Sequence, residues 1–263
     1  MKTTTENIYL EKKDSIATIY LNRPEKRNAM NYEMWCRLPE LLQEVDSDPK
    51  LKVLVLRGVN EVAFCAGADI SEFKKIRSNS ETSRLYDQAT FRAFDTLSNM
   101  KKPTIALIQG YCVGGGAGLA LACDLRFSDH DGRFGITPSK LGLVYSTAAT
   151  KRIVDIAGAS RALDILMSGR IMDVQEAYHI GFVDRIIDSD KIEMETYEYV
   201  NLIASRAQYT VRAAKRIVRE ILNGATDSSE EIQQLIEDAY DTDDYKEGVQ
   251  AFMEKRKPNF RYS

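Results

Sequence analysis

The sequence GYCVGGGAG, residues 110–118, contains five glycines in nine positions. It lies between two apolar runs, TIALIQ at 104–109 and LALACDLRF at 119–127. Glycine is costly inside a strand or a helix, because it loses more backbone entropy on ordering than any other residue. We therefore predict a tight turn here, between a buried strand and a helix built of small apolar residues.

The same order of strand, small-residue turn and helix is predicted a second time at 62–73, where VAFCAGADI precedes a polar segment. Apolar periodicity predicts further strands at 16–22 and 51–58, and helices at about 32–46 and 80–100. Strands that alternate with helices are typical of a core in which helices cover the faces of a sheet. The predicted fold class is therefore α/β.

After about residue 145 the pattern becomes mostly helical, interrupted by one predicted strand at 181–187, GFVDRII. From 191 to 255 nearly every segment is compatible with a helix. We therefore predict a mixed core at 1–200 and a small helical domain at 201–263 that packs against it.

The composition of the chain argues against several classes of protein. The 263 residues include 36 basic and 39 acidic side chains, and this balance gives no overall attraction to nucleic acid or to an anionic membrane surface. The four cysteines have no CxxC spacing and only two histidines accompany them, so no metal site is predicted. Neither a signal-peptide core nor an apolar run of membrane-spanning length is seen. We expect a cytoplasmic protein.

Three interpretations of the glycine-rich turn are open. Glycines can mark a close crossing of helix and sheet that leaves no room for a Cβ atom. A phosphate site is disfavoured, because no Lys-Ser/Thr pair follows and Leu119 stands where a dinucleotide fingerprint has its third glycine. The third interpretation is an oxyanion hole, in which bare N–H groups at a helix start stabilise a carbonyl oxygen that gains negative charge. Because one donor rarely suffices, the loop AGAD at 66–69 is predicted to supply a second.

Five sequence blocks, taken in order, resemble the crotonase superfamily, that is, the enoyl-CoA hydratase/isomerase family, over almost the whole chain. They are NRPEKRNAM, AFCAGADI, KKPTIALIQGYCVGGGAGLALACDLR, the FG and LG pairs within 134–142, and EGVQAFMEKRKPNF. The resemblance implies a spiral of ββα units followed by a C-terminal helical region used in trimerisation, in a homotrimer or in a hexamer that is a dimer of trimers. It implies an acyl-CoA substrate and no separate cofactor, since coenzyme A is part of the substrate.

The resemblance also implies roles for individual residues. The N–H groups of Ala68 and Gly115 would bind the thioester oxygen of an enolate-like species. Alternatives stay open for three of the substrate-binding positions: Lys26 and Lys257 could be solvated surface groups, and Asp69 could cap a helix beginning at Ser71. The implied substrate-binding residues are Lys26, Ala29, Ala66, Asp69, Ile70, Gly114, Pro138, Leu141, Lys257 and Phe260.

The acid–base residues depart from the family pattern. Hydratases of this family use two glutamates and some isomerases use an aspartate; the corresponding positions here are Gly118, Pro138 and Ser146. Without these carboxylates, no group is evident that could activate water or protonate the α-carbon. We therefore predict enolate chemistry on an acyl-CoA, but not efficient hydration of the two-glutamate kind.

The remaining catalytic candidates near this position are Tyr145 and Ser146. The block TPSKLGLVY and the ending YDTDDYKEGVQAFMEKRKPNF resemble methylmalonyl-CoA decarboxylases, in which a tyrosine at the position of Tyr145 lies over the thioester. Those enzymes place a histidine in the AGAD-like loop, where this chain has Ala68. A malonyl-type decarboxylase and a catalytically poor acyl-CoA-binding homologue are thus alternatives. Tyr145 could also be a packing residue, and Ser146 the N-cap of the following helix.

Overall fold

The strands form two sheets. The computed structural model describes residues 6–77 and 79–261. The strands are β1 Ile8–Lys13, β2 Ile16–Leu21, β3 Val53–Gly58, β4 Ala63–Cys65, β5 Thr104–Ile108, β6 Tyr111–Val113, β7 Leu125–Ser128, β8 Arg133–Gly135, β9 Met172–Asp173 and β10 Arg185–Ile186. The larger sheet has the order β1-β2-β3-β5-β7-β10, and the smaller sheet has the order β4-β6-β8-β9.

Helices surround both sheets. The first begins where predicted, because the Asn31 side chain accepts a hydrogen bond from the Met34 N–H group and caps it. The helices are α1 Tyr32–Ser47, α2 Phe73–Ile76, α3 Ser80–Ser98, α4 Gly115–Ala122, α5 Thr147–Ala157, α6 Ala159–Ser168, α7 Val174–His179, α8 Ile192–Ala204, α9 Gln208–Leu222, α10 Glu230–Asp241 and α11 Asp243–Met253.

Successive strand pairs build a spiral of ββα units. In each unit the first strand joins the larger sheet, the second joins the smaller sheet, and a helix follows: β3 and β4 precede α2 and α3, β5 and β6 precede α4, and β7 and β8 precede α5. The strands of successive units pair in parallel within each sheet. The predicted α/β spiral is confirmed.

The larger sheet separates two apolar cores. Successive side chains of a strand point to opposite faces, and all of β3 is buried. Leu54 and Leu56 belong to the core that contains the buried residues of α1 and α3. Val53 and Val55 belong to the opposite core, together with Val200 of α8. Burial on both faces explains why this strand reads as a continuous apolar run.

The strand predicted at 181–187 is wrong in its extent. Only Arg185–Ile186 forms β10, which pairs in parallel with β7. The preceding residues turn back onto the end of α7, where the N–H groups of Phe182 and Val183 both donate to the Ala177 carbonyl. Both side chains are buried. The apolar pattern that predicted a strand therefore reflects a turn that packs into the core.

An ion pair links α9 to the core. The Lys215 Nζ of α9 lies 2.6 Å from the Asp124 Oδ2 atom, which also accepts hydrogen bonds from the N–H and hydroxyl groups of Thr104.

The predicted domain boundary at residue 200 falls inside α8, and this boundary and the trimerisation role stay predictions. None of the helices formed by residues 6–77 and 79–261 has the length and apolar character needed to cross a membrane. The cytoplasmic location also stays a prediction.

Candidate active site

The two small-residue loops lie side by side because they follow neighbouring strands. The tight turn predicted over 110–118 is wrong in its extent, since Tyr111–Val113 forms β6 and α4 begins at Gly115. The loop at 66–69 follows β4, and the turn at Gly114 follows β6. These strands pair in parallel. Ligand sites in parallel sheets form beyond the carboxyl ends of the strands, where the following loops meet. The fold therefore brings together the two loops that the sequence predicts to act together.

The backbone around Ala68 leaves its N–H group available. Met30 forms an isolated parallel bridge with Ala68, in which the Met30 N–H donates to the Gly67 carbonyl at 2.7 Å and the Met30 carbonyl accepts from the Asp69 N–H at 2.8 Å. These bonds use the groups on either side of Ala68, and its own N–H points to the opposite side of the segment. In the described part of the chain, this N–H has no hydrogen-bond acceptor.

The glycines of the turn have separate structural roles. Gly114 adopts a φ of +57°, which residues with a side chain rarely adopt, and its N–H donates to the Gly135 carbonyl at 2.7 Å. Gly116 marks a close crossing, since a Cβ atom there would lie 2.2 Å from the Cys65 carbonyl oxygen. Gly115 begins α4, and its N–H has no acceptor within residues 6–77 and 79–261, as is usual in a first helical turn. The close-crossing interpretation is therefore confirmed for Gly116, whereas the N–H group of its neighbour Gly115 stays available.

The two available N–H groups lie close together. A Cβ atom built on Gly115 would lie 3.7 Å from the Ala68 nitrogen, and one built on Gly67 would lie 3.3 Å from the Gly115 nitrogen. The start of α4 adds the positive end of a helix dipole at this point. Chemically, such an arrangement can stabilise an oxygen atom that gains negative charge.

A cleft of about 180 Å³ opens beside these groups. Its mainly apolar walls come from the two loops, from α3 and α5, and from the segment between β8 and α5. Of the predicted site residues, the cleft is lined by Ala66, Ala68, Ile70, Gly114, Gly115, Pro138, Leu141, Tyr145 and Ser146.

Other predicted binding residues lie outside the lining of this cleft: Lys26, Ala29, Lys257 and Phe260. Lys26 and Lys257 are exposed, and Ala29 is buried. The Phe260 ring lies beside Gly248, where a Cβ atom would be 3.5 Å from it. Contacts of these residues with coenzyme A stay a prediction.

Asp69 has a structural role in the loop that carries Ala68. Its Oδ1 atom accepts hydrogen bonds from the Ser71 N–H at 3.0 Å and the Ser71 hydroxyl at 2.5 Å, which caps the short 3-10 turn Ile70–Glu72. Its Oδ2 atom accepts from the Arg23 Nη2 group at 2.8 Å. Burial by itself would raise the pKa of this carboxyl, but the bonds from Ser71 and Arg23 outweigh burial and lower the pKa. The interpretation of Asp69 as a cap is confirmed, and its side chain does not line the cleft.

Replacing Asp69 by Asn is expected to destabilise the protein by about 1–3 kcal/mol at pH 7, because charge-assisted hydrogen bonds are lost. The folded-state pKa is lowered, so the stabilisation is fully present above the unfolded-state value of about 3.9 and is lost as the pH falls through the folded-state value. Urea unfolding of both proteins should give a constant difference near neutral pH that shrinks below about pH 4. A difference unaffected by acid would contradict the ionic origin.

Ser146 and Tyr145 lie together at the start of α5. The Ser146 hydroxyl oxygen accepts a hydrogen bond from the Ala149 N–H at 3.3 Å, so the interpretation of Ser146 as an N-cap is confirmed. Tyr145 is half-buried against the core, and burial raises the pKa of its hydroxyl to about 12. The phenol is therefore neutral at pH 7. Its hydroxyl has no hydrogen-bond partner among the described residues.

The sequence patterns did not reveal the cleft residues of α3. Tyr86, Thr90 and Phe94 recur every four residues and line the cleft, which matches the helical period. The Tyr86 hydroxyl accepts a hydrogen bond from the Trp35 indole N–H at 2.9 Å, and this contact fixes α3 against α1. The four-residue spacing of these side chains could have indicated a face that lines a cleft. The charged residues between them made the helix look polar in the sequence.

A family model matches nearly the whole chain. The model is that of enoyl-CoA hydratase/isomerase, and it matches residues 11–263. The chain belongs to the enoyl-CoA hydratase/isomerase family. The resemblance to the crotonase superfamily and the prediction of an enzyme of this kind are confirmed.

Known members of the enoyl-CoA hydratase/isomerase family match over the full length. A crotonyl-CoA hydratase from Syntrophomonas wolfei is 31% identical over 259 residues, which cover 97% of this chain and 98% of that protein. The crystal structure of an enoyl-CoA hydratase/isomerase family protein from Hyphomonas neptunium matches with a TM-score of 0.96 and 38% identity over 100% of both chains. That of an enoyl-CoA hydratase/carnitine racemase from Magnetospirillum magneticum matches with a TM-score of 0.94 and 38% identity over 99% of this chain and 97% of the other.

In this member of the enoyl-CoA hydratase/isomerase family, aromatic packing fills the space beside Gly118, one of the positions at which the sequence resemblance implies a glutamate in hydratases. A Cβ atom on Gly118 would lie 2.8 Å from the Phe94 Cζ atom. Phe94 packs edge-on against Trp35, with 5.4 Å between the ring centroids. Among the residues that the structure describes, Asp87 is the one carboxylate in the cleft lining, and it pairs with the Arg77 Nη2 group at 2.6 Å. A carboxylate at position 118 would therefore need the Phe94 ring to move.

Gly118→Glu is expected to destabilise this family member by about 1–3 kcal/mol through that clash. Phe94→Ala alone is expected to cost about 3–5 kcal/mol, since it leaves a cavity. The double variant should be more stable than the sum of the two losses predicts, because each change relieves the defect of the other. Urea unfolding of the four proteins measures this coupling. Strictly additive losses would contradict the contact between the two positions.

Proposed function

We propose that the cleft binds an acyl-CoA thioester whose carbonyl oxygen accepts hydrogen bonds from the Ala68 and Gly115 N–H groups. The observation that carries this proposal is the proximity of two backbone N–H groups that have no acceptor in residues 6–77 and 79–261. Formation of an enolate places negative charge on that oxygen, so these bonds strengthen in the transition state. Family membership and the crotonyl-CoA hydratase relative support the substrate class. Coenzyme A is part of the substrate, and no further cofactor is proposed.

Decarboxylation of a malonyl-type thioester is a second candidate reaction. It is favoured by the cleft lining, in which the described residues offer one carboxylate, Asp87, already paired with Arg77. The bond between the α-carbon and the substrate carboxylate breaks, CO2 leaves, and the electron pair passes into the thioester as an enolate. A proton from water or from the neutral Tyr145 hydroxyl then completes the α-carbon, and Tyr145 would recover its proton from solvent. Hydration and isomerisation need a base that decarboxylation does not.

Three substrates given in parallel separate the candidate functions. Purified protein is incubated with crotonyl-CoA, a 3-enoyl-CoA and methylmalonyl-CoA, and the products are followed by mass spectrometry. Loss of CO2 from methylmalonyl-CoA would support decarboxylation. Rapid hydration of crotonyl-CoA would contradict our inference that the chain cannot hydrate efficiently without the two glutamates. Tight binding of acyl-CoA without turnover of any substrate would instead support a catalytically poor binding homologue.

Tyr145→Phe is expected to reduce kcat by about 10- to 100-fold, because it removes a hydroxyl placed to donate to the substrate. Ser146→Ala, at the neighbouring position, is expected to leave kcat nearly unchanged and to lower the free energy of unfolding by about 1 kcal/mol through loss of the helix cap. Steady-state kinetics and urea unfolding of both variants make the comparison. The reverse order of kcat values would refute the role assigned to Tyr145.

A homotrimer, or a hexamer that is a dimer of trimers, is proposed for the assembly. Large apolar side chains are exposed on α9 and α11 and support this proposal: Val218, Ile221, Leu222, Val249, Phe252 and Met253. Light scattering of the purified protein gives the mass, and a monomer at micromolar concentration would contradict it.

A further inference from the structure

The charges of the cleft lining do not balance. Among the described residues, its charged members are Arg77, Asp87 and Arg152. Arg77 and Asp87 pair with each other at 2.6 Å. Arg152 is left as the excess positive charge in a mainly apolar cleft. An uncharged acyl chain would offer this group no hydrogen-bond acceptor.

The Arg152 side chain is partly shielded from water and weakly paired. The side chain is 22% exposed, and the Nη2 group lies 3.3 Å from the Oδ1 atom of Asp95, whose side chain is 60% exposed. In the part of the chain that the structure describes, this is the one hydrogen bond of a group that carries five N–H donors. A guanidinium with one weak partner in a mainly apolar cleft can bind an anion through its remaining N–H donors, in charge-assisted hydrogen bonds.

The position of Arg152 suits contact with the acyl part of a thioester. It lies on α5 six residues beyond Ser146, which corresponds to about 9 Å along the helix axis. Ser146, Ala149 and Ile153 of the same helix segment line the same cleft. A planar guanidinium binds a carboxylate through two parallel hydrogen bonds.

We propose that Arg152 binds a carboxylate on the acyl group, and that the substrate is therefore the coenzyme A thioester of a dicarboxylic acid. This inference rests on the proposed acyl-CoA function of the cleft. The carboxylate could stand on the α-carbon, as in malonyl-type thioesters, or at the far end of the chain, as in glutaryl-type thioesters. A guanidinium would bind the carboxylate in the same way at either position. Pairs of thioesters with and without the carboxylate distinguish the two positions.

Binding of matched thioesters tests the proposal. Glutaryl-CoA is compared with valeryl-CoA, and methylmalonyl-CoA with isobutyryl-CoA, so that each pair differs by a carboxylate in place of a methyl group. Dissociation constants are measured by displacement after rapid mixing, within a time too short for turnover to deplete the ligand. In the wild type, at least one carboxylate-bearing ligand should bind about 10- to 100-fold more tightly than its neutral partner. The pair that shows the preference locates the carboxylate.

Two arginine variants complete the test. Arg152→Met should abolish the preference while leaving the affinity for the neutral ligand unchanged. Arg161→Met removes the same charge from an exposed position of α6 that does not line the cleft, and it should keep the preference. Absence of a preference in the wild type, or an equal weakening of charged and neutral ligands by Arg152→Met, would overturn the proposal. Binding of all four thioesters without discrimination would leave the proposed function intact, whereas binding of none would refute both.

Discussion

Gly115→Pro should reduce kcat/KM by about 100- to 1,000-fold relative to Gly115→Ala, which is the loss expected when one oxyanion donor is removed. Proline has no N–H group, so it deletes the proposed donor directly. Gly115 is the first residue of α4, a position at which proline is well tolerated because its fixed φ suits a helix start. The rate is measured with whichever thioester the wild type converts.

Gly115→Ala is the matched control for this substitution. Both variants add a Cβ atom, which would lie 3.0 Å from the Trp35 Cζ2 atom, so both place the same demand on that ring. Alanine keeps the N–H group, whereas proline replaces its hydrogen by the ring Cδ atom, so the ratio of the two rates reports the loss of the donor together with the space that Cδ occupies. Circular dichroism and thermal unfolding establish that both variants fold. Equal rates in two folded variants would remove the oxyanion role of this position.

Trp35→Ala is expected to lower the free energy of unfolding by about 3–5 kcal/mol. Trp35 is fully buried, packs edge-on against Phe94 and donates its indole N–H to the Tyr86 hydroxyl. It joins α1 to α3 and lines the cleft beside Gly115. The variant should also weaken binding of acyl-CoA, because the cleft loses this support.

Trp35→Phe separates packing from hydrogen bonding at the same position. It keeps an aromatic ring but leaves the buried Tyr86 hydroxyl without its donor, and a smaller loss of about 1–3 kcal/mol is expected. Because Trp35 is the single tryptophan of the chain, unfolding must be followed by circular dichroism rather than by tryptophan fluorescence. If the Ala and Phe variants were equally stable, the ring packing assigned to Trp35 would be wrong.

Much of the fold and part of the site follow from local sequence. The helix at 32–46 and the strand at 51–58 are found within a few residues of their predicted bounds, as Tyr32–Ser47 and Val53–Gly58, because apolar periodicity reflects the face that a segment buries. The strand at 181–187 is found only in part, since buried apolar residues can belong to a turn as well as to a strand. The apolar pattern of a segment indicates that its side chains are buried. It does not indicate which backbone groups the segment hydrogen-bonds to.

The sequence by itself determined that a glycine-rich turn starts a helix of small apolar residues, because glycine supplies a backbone conformation such as that of Gly114, at a φ of +57°, that other residues rarely adopt. It also determined which loop would face that turn. Only the tertiary structure decided which glycine crosses Cys65, that Phe94 fills the space beside Gly118, and that Arg152 lies in the cleft with so little compensation. These facts depend on pairs of residues far apart in the chain. Such residues come into contact only when strands, helices and loops pack together. The local sequence pattern around each residue does not predict which distant residue it will contact.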